Sequence, residues 1–282
     1  MTLQARNVVK AADAPHEIFD DVLEELLISG EIKVWKAKEI VQNLTKREPV
    51  KTEEFDAVTM GKAILLGEHS VVYGRHAVAV PVPLNIRVNI EDADEGVLLM
   101  IPSWGVEYRL DKKPEERQSF ENPAALILEE MNLTHTGMKI EVFSDIPRGM
   151  GLGGSAVMAV SIIKALNHHF QMNLSDEEIN KLAYESEKIA HGNPSGIDNT
   201  IATYGYPIIY RKSDPILRER LQINKPFDLI LAFSKSEGLT AKTVAHVRSQ
   251  WKENCEMYEG VFDDIDAIVL KGIQAIQNND IK

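Results

Sequence analysis

The stretch PRGMGLGGS, residues 147–155, sets Gly149, Gly151, Gly153 and Gly154 close together just before an apolar helical pattern. Glycines let backbone N–H groups approach a ligand closely, and a helix starting near Ser155 would aim its positive end at the same spot. This predicts a phosphate-binding loop; a plain turn ahead of a helix is the alternative. Gly149, Gly151 and Gly154 also satisfy the G-x-G-x-x-G dinucleotide pattern. That unit needs an acid at the end of the next strand, about 20 residues on. Here Asp176 and Glu177 open a helix instead, so a nucleoside triphosphate is the better expectation and a nicotinamide-dependent enzyme the weaker one. A P-loop is excluded, because Gly61-Lys62 is followed by Ala63 and Asp56 stands where the first glycine belongs.

Downstream of the loop, Ala156, Val160, Ile163 and Leu166 repeat at helical spacing. Ser175 opens a second helix: Glu178 stands three residues on, the capping-box arrangement, with acids in the first turn where the helix dipole favours them. That helix ends in EKIAHGNPSGIDN, residues 187–199, which turns through Gly192, Pro194 and Gly196 and then presents Asp198. Upstream, MGKAILLGEHSVVYG, residues 60–74, reads as a strand that ends in Gly67 and delivers Glu68, His69 and Ser70 into a turn. Lys62 sits inside that apolar strand and either snorkels to its edge or serves a site. The even positions from Val78 to Ile90 are all apolar, a period-2 pattern that writes one face of a sheet. Pro81 and Pro83 inside it predict an edge strand, or two strands meeting at a bend. Further strands are expected over 58–66, 96–101 and 138–143.

Phosphoryl transfer to an alcohol needs a carboxylate near the hydroxyl, a cation on the transferring phosphate and oxygen ligands for Mg²⁺. Asp198, Lys62, Ser155 and Glu187 can supply these parts. As isolated residues they would more often be surface acids or a snorkelling lysine, so the argument rests on the three segments together.

Those segments resemble a known family. GKAILLGEHSVVYG (61–74), PRGMGLGGSA (147–156) and HGNPSGIDN (191–199) resemble motifs of the GHMP kinase superfamily, and the pairing of GEHSVVYG with HGNPSGID is closest to its mevalonate kinases. The resemblance implies an α+β, two-domain kinase fold that uses ATP and Mg²⁺ to phosphorylate the primary hydroxyl of mevalonate, giving 5-phosphomevalonate for isoprenoid synthesis. It assigns catalysis to Asp198 and its partner Lys62. It sets Pro147, Gly149, Gly151, Leu152, Gly153, Gly154, Ser155 and Ala156 around ATP, with Ser155 and Glu187 as Mg²⁺ ligands. Glu68, His69, Ser195 and Thr240 would face the substrate. The loop reads GLGGS where the family usually has GLGSS, so Gly154 removes a hydroxyl from the phosphate site, which is expected to weaken ATP binding.

The expected organisation is a helical appendage over 1–50, an ATP-binding domain over 55–222 and the start of a second domain, a strand and helices, over 223–282. The family's third glycine-rich motif is not found before Lys282, so this second domain is expected to be incomplete. A catalytically impaired kinase acting as a binding protein stays open on that ground. In the appendage, Ile18, Val22 and Leu26 beside Phe19, Leu23 and Leu27 form a helical stripe, and two short helices are expected between residues 15 and 50, the first stopped by Gly30. Residues 1–45 resemble the tail of class II hydroxymethylglutaryl-CoA reductase; a helical extension that caps the kinase or joins two copies as a homodimer is the alternative.

Composition limits the partners. The chain has 282 residues, 44% apolar and 26% charged, which can bury a core. The formal charge of −12 repels phosphate polymers, and the basic clusters at Lys46-Arg47 and over 211–220 are short and interrupted by acids, so no nucleic acid is expected. The best membrane candidate, 156–166, is broken by Lys164. The single Cys255 allows no intramolecular disulfide or Cys-based zinc site and suits the cytoplasm.

Overall fold

The computed structural model describes residues 2–11, 19–29, 32–34, 36–37, 40–41, 55–102, 105–110, 121–147, 151–192, 194–232 and 240–280. Two compact units result, Met1–Glu54 and Phe55–Lys282. In the first, helices α1 (Thr2–Ala11) and α2 (Phe19–Ser29) bury Ala5, Val9, Val22, Leu23 and Leu26 together with Ala37 and Ile40. The helix over 2–11 departs from the sequence expectation, which begins at residue 15. Its stripe is thin, little more than Ala5 and Val9 one turn apart, so periodicity gave it little weight. Ile18 and the stop at Gly30 lie outside the described residues.

The second unit is built on a seven-stranded sheet. Its strands are β1 (Ala57–Leu66), β2 (His76–Asp92), β3 (Val97–Ile101), β4 (Val106–Arg109), β5 (Met138–Ser144), β6 (Ile208–Arg211) and β7 (Leu217–Arg220). The order is β4-β3-β5-β2-β6-β7, with β1 along the other side of β2, and every pair is antiparallel except β3 with β5.

The edge position expected for β2 is wrong: it is the central strand. Pro81 and Pro83 are tolerated because on one flank β6 pairs only as far as Ala79 and β5 starts only at Ile86, leaving a gap where no ladder bond needs an N–H. On the other flank Pro83 falls in a register shift, since Gly61 pairs with Val82 but Met60 with Asn85. The single expected face does not run the full length either. Val82, Ile86, Val88 and Ile90 line the main core, whereas Val78 joins a separate cluster.

Helices α3 (Glu121–Glu130), α4 (Gly154–His169), α5 (Asp176–His191) and α6 (Ile197–Tyr204) follow β4 and β5, and α7 (Thr240–Glu253) and α8 (Cys255–Asn278) follow β7. The stretch around Lys164 that comes nearest to a membrane span is α4, which packs on β1, β2, α5 and α6 and is apolar almost all round because it is buried almost all round. Lys164 Nζ turns to the end of α6, donating to the carbonyls of Thr203 (2.7 Å) and Ala202 (3.4 Å), which an eight-residue helix would otherwise leave unpaired. Burial lowers the Lys164 pKa. No helix among the described residues is long and apolar enough to cross a membrane. Ala77 and Ala79 pack with Ile197 and Ile201 of α6, while Val78 between them packs with Val269 and Ile273 of α8, so consecutive residues of β2 feed opposite sheet faces. Among the described residues of 223–282 there is no strand.

Candidate active site

Four segments distant in sequence meet at the N-terminal end of α4. Lys62 reaches this point because β1 runs antiparallel to β2 and the Lys62 N–H donates to the carbonyl of Leu152 (3.2 Å), which ties the strand to the glycine loop. Gly153, the residue before α4, has φ +73°. A Cβ there would stand 3.1 Å from Lys62 Cγ and 3.3 Å from Asp198 Cβ, so the loop lies directly against both side chains. The first bond of the helix runs from Val157 N–H to the Gly153 carbonyl, which leaves the amides of Gly154, Ser155 and Ala156 free of helical partners. Free amides at the positive end of a 16-residue helix suit an anion.

Lys62 is 6% exposed, and its ammonium stands 3.2 Å from Asp198 Oδ1. A lysine in an apolar strand therefore has its carboxylate partner and does not snorkel. Asp198 occupies the first turn of α6, whose N-cap, Gly196 at φ +90°, leaves no room for a side chain: a Cβ would come within 2.4 Å of Tyr210 Oη. The approach to Asp198 is fixed by Tyr210, which donates to the Ser195 carbonyl (2.9 Å), and by Lys212, which donates to the Pro194 carbonyl (2.9 Å). The Ser195 hydroxyl accepts from Ile197 N–H (3.3 Å).

On α5, Glu187 is 5% exposed and accepts a 2.5 Å hydrogen bond from Ser155 Oγ. Burial raises its pKa and Asp198 raises it further, against the Ser155 bond and His191, whose Nε2 lies 3.8 Å from Glu187 Oε2. The capping box that starts α5 is present in full: Ser175 Oγ accepts from Glu178 N–H, and the Glu178 carboxylate accepts from Ser175 N–H (2.8 Å).

The structure thus gathers Lys62, Gly153, Ser155, Glu187 and Asp198. Leu152 and Ala156 are buried beneath the loop, Pro147 and Gly151 are exposed along it, and Gly149 lies outside the described residues. Glu68 and His69 sit on the turn after β1, where the Glu68 carbonyl accepts from Ser70 N–H (2.8 Å) and His69 takes φ +62°, ψ −50°. This is a γ-turn of positive φ, rare and strained. Thr240 is the first residue of α7, and its side chain lies outside the described residues. Sequence reasoning missed Tyr210, Lys212 and the steric part of Gly153; His191 was legible, standing four residues after Glu187 on one helix.

The dinucleotide alternative fails on topology. After the loop come α4, α5 and α6, and the next strand, β6, pairs antiparallel with β2, so no strand–helix–parallel strand unit exists there.

Residues 120–206 match the family model of the GHMP kinases N terminal domain. The mevalonate kinase of Pyrococcus furiosus is 32% identical over 233 residues, 77% of this chain and 69% of that protein. That of Archaeoglobus fulgidus is 34% identical over 212 residues, 75% and 69% of the two chains. Among solved structures, L. major mevalonate kinase in complex with R-mevalonate superposes with a TM-score of 0.63 at 26% identity, covering 83% of this chain and 72% of that one. The Methanococcus jannaschii mevalonate kinase, at 23% identity and a TM-score of 0.60 over 80% and 74% of the chains, shares the fold. Sequence kinship over three quarters of the chain and a common fold lead to one conclusion: this chain belongs to the mevalonate kinase family of the GHMP kinases.

Proposed function

We propose that this chain transfers the γ-phosphoryl group of ATP to the primary hydroxyl of mevalonate, releasing ADP and 5-phosphomevalonate. The observation that carries the reading is the Lys62–Asp198 pair, 3.2 Å apart and pressed against a glycine loop whose free amides open α4. The loop amides bind the triphosphate and hold its terminal group beside Asp198. Asp198 Oδ accepts the hydroxyl proton as the hydroxyl oxygen bonds to the γ-phosphorus and the bond to the β-phosphate oxygen breaks. Lys62, 3.2 Å from Asp198 Oδ1, offsets charge on the attacking oxygen. Glu68, His69 and Ser195 orient mevalonate, with Thr240 contributing from the start of α7.

The residues present fit Mg²⁺. Ser155 Oγ and the Glu187 carboxylate are hard oxygen donors already side by side, and Glu187 is buried with no lysine ion pair among the described residues. Among the described residues no group of three or more His, Cys, Asp or Glu is gathered for a metal, so the remaining ligands would be phosphate oxygens and water, the usual Mg²⁺ arrangement at a kinase. Bound there, Mg²⁺ supplies charge neutralisation on the phosphates. The cytoplasm, where ATP is regenerated, is the compartment this reading implies.

The test is incubation of the full chain with ATP, Mg²⁺ and mevalonate, following ADP by a coupled assay and the product by ³¹P NMR. Mevalonate-dependent ADP release with a new phosphomonoester resonance is expected. ATP hydrolysis that ignores mevalonate, or no turnover, would overturn the reading.

A further inference from the structure

The turn carrying Glu68 and His69 is short, exposed at Glu68 and centred on a strained residue. Such a conformation persists only where its surroundings over-determine it. Its internal bonds, Ser70 Oγ to the Gly67 carbonyl (3.1 Å) and Val71 N–H to the same oxygen (3.2 Å), close the near end. The far end is gripped from about 190 residues away, by one face of α8.

Three nearby residues after the turn each find a partner on that face. The Tyr73 ring stacks on Phe262 (4.4 Å between centroids, 18° between planes) and meets Trp251 of α7 on another side (5.3 Å). Arg75 places Nη2 2.6 Å from Glu259 Oε2 and 2.7 Å from Asp263 Oδ1, its Nε donates to the same Asp263 oxygen (3.0 Å), and Nη1 returns to the Tyr73 carbonyl (2.7 Å). His76 donates from its backbone N–H to Asp266 Oδ1 (2.6 Å), with Nδ1 2.9 Å from the same atom. Glu259, Phe262, Asp263 and Asp266 follow the i, i+3, i+4, i+7 pattern of a single helical face. Glu259 is itself fixed by Trp251 Nε1 (2.8 Å). Arg75 is the centre of this clamp: its backbone N–H donates to the carbonyl of Ser70 (3.3 Å), the last residue of the γ-turn, while its side chain, only 17% exposed, reaches two carboxylates of α8.

We propose that Arg75 is a positioning residue for the phosphoryl acceptor. Held by Glu259 and Asp263, it fixes the γ-turn at His69 so that Glu68 and His69 meet the substrate in one geometry. The inference rests on the mevalonate reading of the site, and it makes α8 part of the substrate apparatus without touching substrate. ATP binds at the other element, the loop before α4, and is unaffected.

The experiment compares Arg75→Ala, Arg75→Lys and wild type by steady-state kinetics and by amide hydrogen exchange over residues 67–75. Loss of the clamp should raise KM for mevalonate ~10-fold while KM for ATP stays within about twofold. Exchange across the turn should accelerate with that of the central sheet unchanged, and Arg75→Lys, which keeps one ion pair, should recover part of both effects. If Arg75→Ala does not fold, Asp263→Asn, which leaves the Glu259 contact, should show the same pattern in smaller degree. An unchanged KM for mevalonate overturns the proposal, and so does an equal loss in every kinetic parameter tracking a lowered melting temperature. Should wild type fail to phosphorylate mevalonate at all, the functional reading falls by itself. Exchange then decides the clamp alone: acceleration in Arg75→Ala supports it and unchanged exchange rejects it.

Discussion

Replacing Gly153 by alanine tests the site through its tightest contact. The backbone there has φ +73°, and an L-residue held in the left-handed region costs about 1–2 kcal/mol. Alanine returns roughly 0.4–1 kcal/mol by restricting the unfolded chain, so the net stability loss should be about 1 kcal/mol, or a fall in Tm of about 2–4 °C for a unit of this size. The steric part is separate. The new methyl would lie 3.1 Å from Lys62 Cγ, 3.3 Å from Lys62 Cε and 3.3 Å from Asp198 Cβ, so both side chains must retreat by a few tenths of an ångström. Because reacting groups misplaced by about 1 Å can cost ~100-fold in rate, a shift of this size should lower kcat by ~10-fold.

Gly151 supplies the control. It has the same φ of +73°, but a Cβ there would meet nothing within 4 Å. Gly151→Ala should therefore show a similar fall in Tm, with any kinetic effect in KM for ATP and kcat retained. Calorimetry and a coupled ADP assay at saturating ATP and mevalonate measure both quantities. Equal kcat in the two variants would refute the claim that Gly153 is a glycine for the sake of Lys62 and Asp198.

Asp198→Asn should lower turnover by ~100-fold or more with ATP affinity retained, as for loss of a general base; wild-type turnover would remove Asp198 from that role. Ser155→Ala and Glu187→Gln should each raise the Mg²⁺ concentration at half-maximal activity, and an unmoved midpoint in both would return them to structural roles. In the metal-free protein, burial raises the Glu187 pKa, so the stability linked to its proton is fully present below the ordinary glutamate value and lost as pH rises through the folded value. Glu187→Gln should flatten that decline and melt higher than wild type at pH 8 in EDTA; a parallel pH profile would contradict this. Deleting residues 1–54 should leave phosphorylation and the main melting transition intact, since Phe55–Lys282 has its own core, and a lost transition would show otherwise.

What could be read from sequence was what depends on near neighbours. Ser175 and Glu178 cap α5 through bonds spanning three residues, and the change of period at Ser155 reports a helix that begins there. The central place of β2 could not be read, because what a proline costs depends on where β5 and β6 happen to stop. Distance hid more of the site. Gly153 advertises a loop, but only the folded chain puts Lys62 and Asp198 within 3.3 Å of where a Cβ there would stand. Arg75 looks like an ordinary turn arginine until α8 returns alongside, and Tyr210 looks like a strand residue until its hydroxyl is found under Gly196.

The same folding gives different surroundings to two carboxylates that the sequence tells apart only through its family resemblance. Asp198 and Glu187 lie close enough to interact, but Lys62 stands beside Asp198 only, while Glu187 has the Ser155 hydroxyl and a histidine nitrogen 3.8 Å away. In the proposed reaction the neighbouring ammonium offsets the charge that builds on the alcohol oxygen as Asp198 takes its proton. Glu187, buried with no lysine ion pair among the described residues, has most to gain from a divalent cation, and it already stands at the helix end where the phosphates would lie. Exchanging the environments should therefore exchange the burdens. In Lys62→Met, Asp198 loses its partner and the rate should fall through kcat, with the Mg²⁺ midpoint held by Ser155 and Glu187. A Lys62→Met variant that shifted the Mg²⁺ midpoint and spared kcat would mean that the two acids have been given each other's roles.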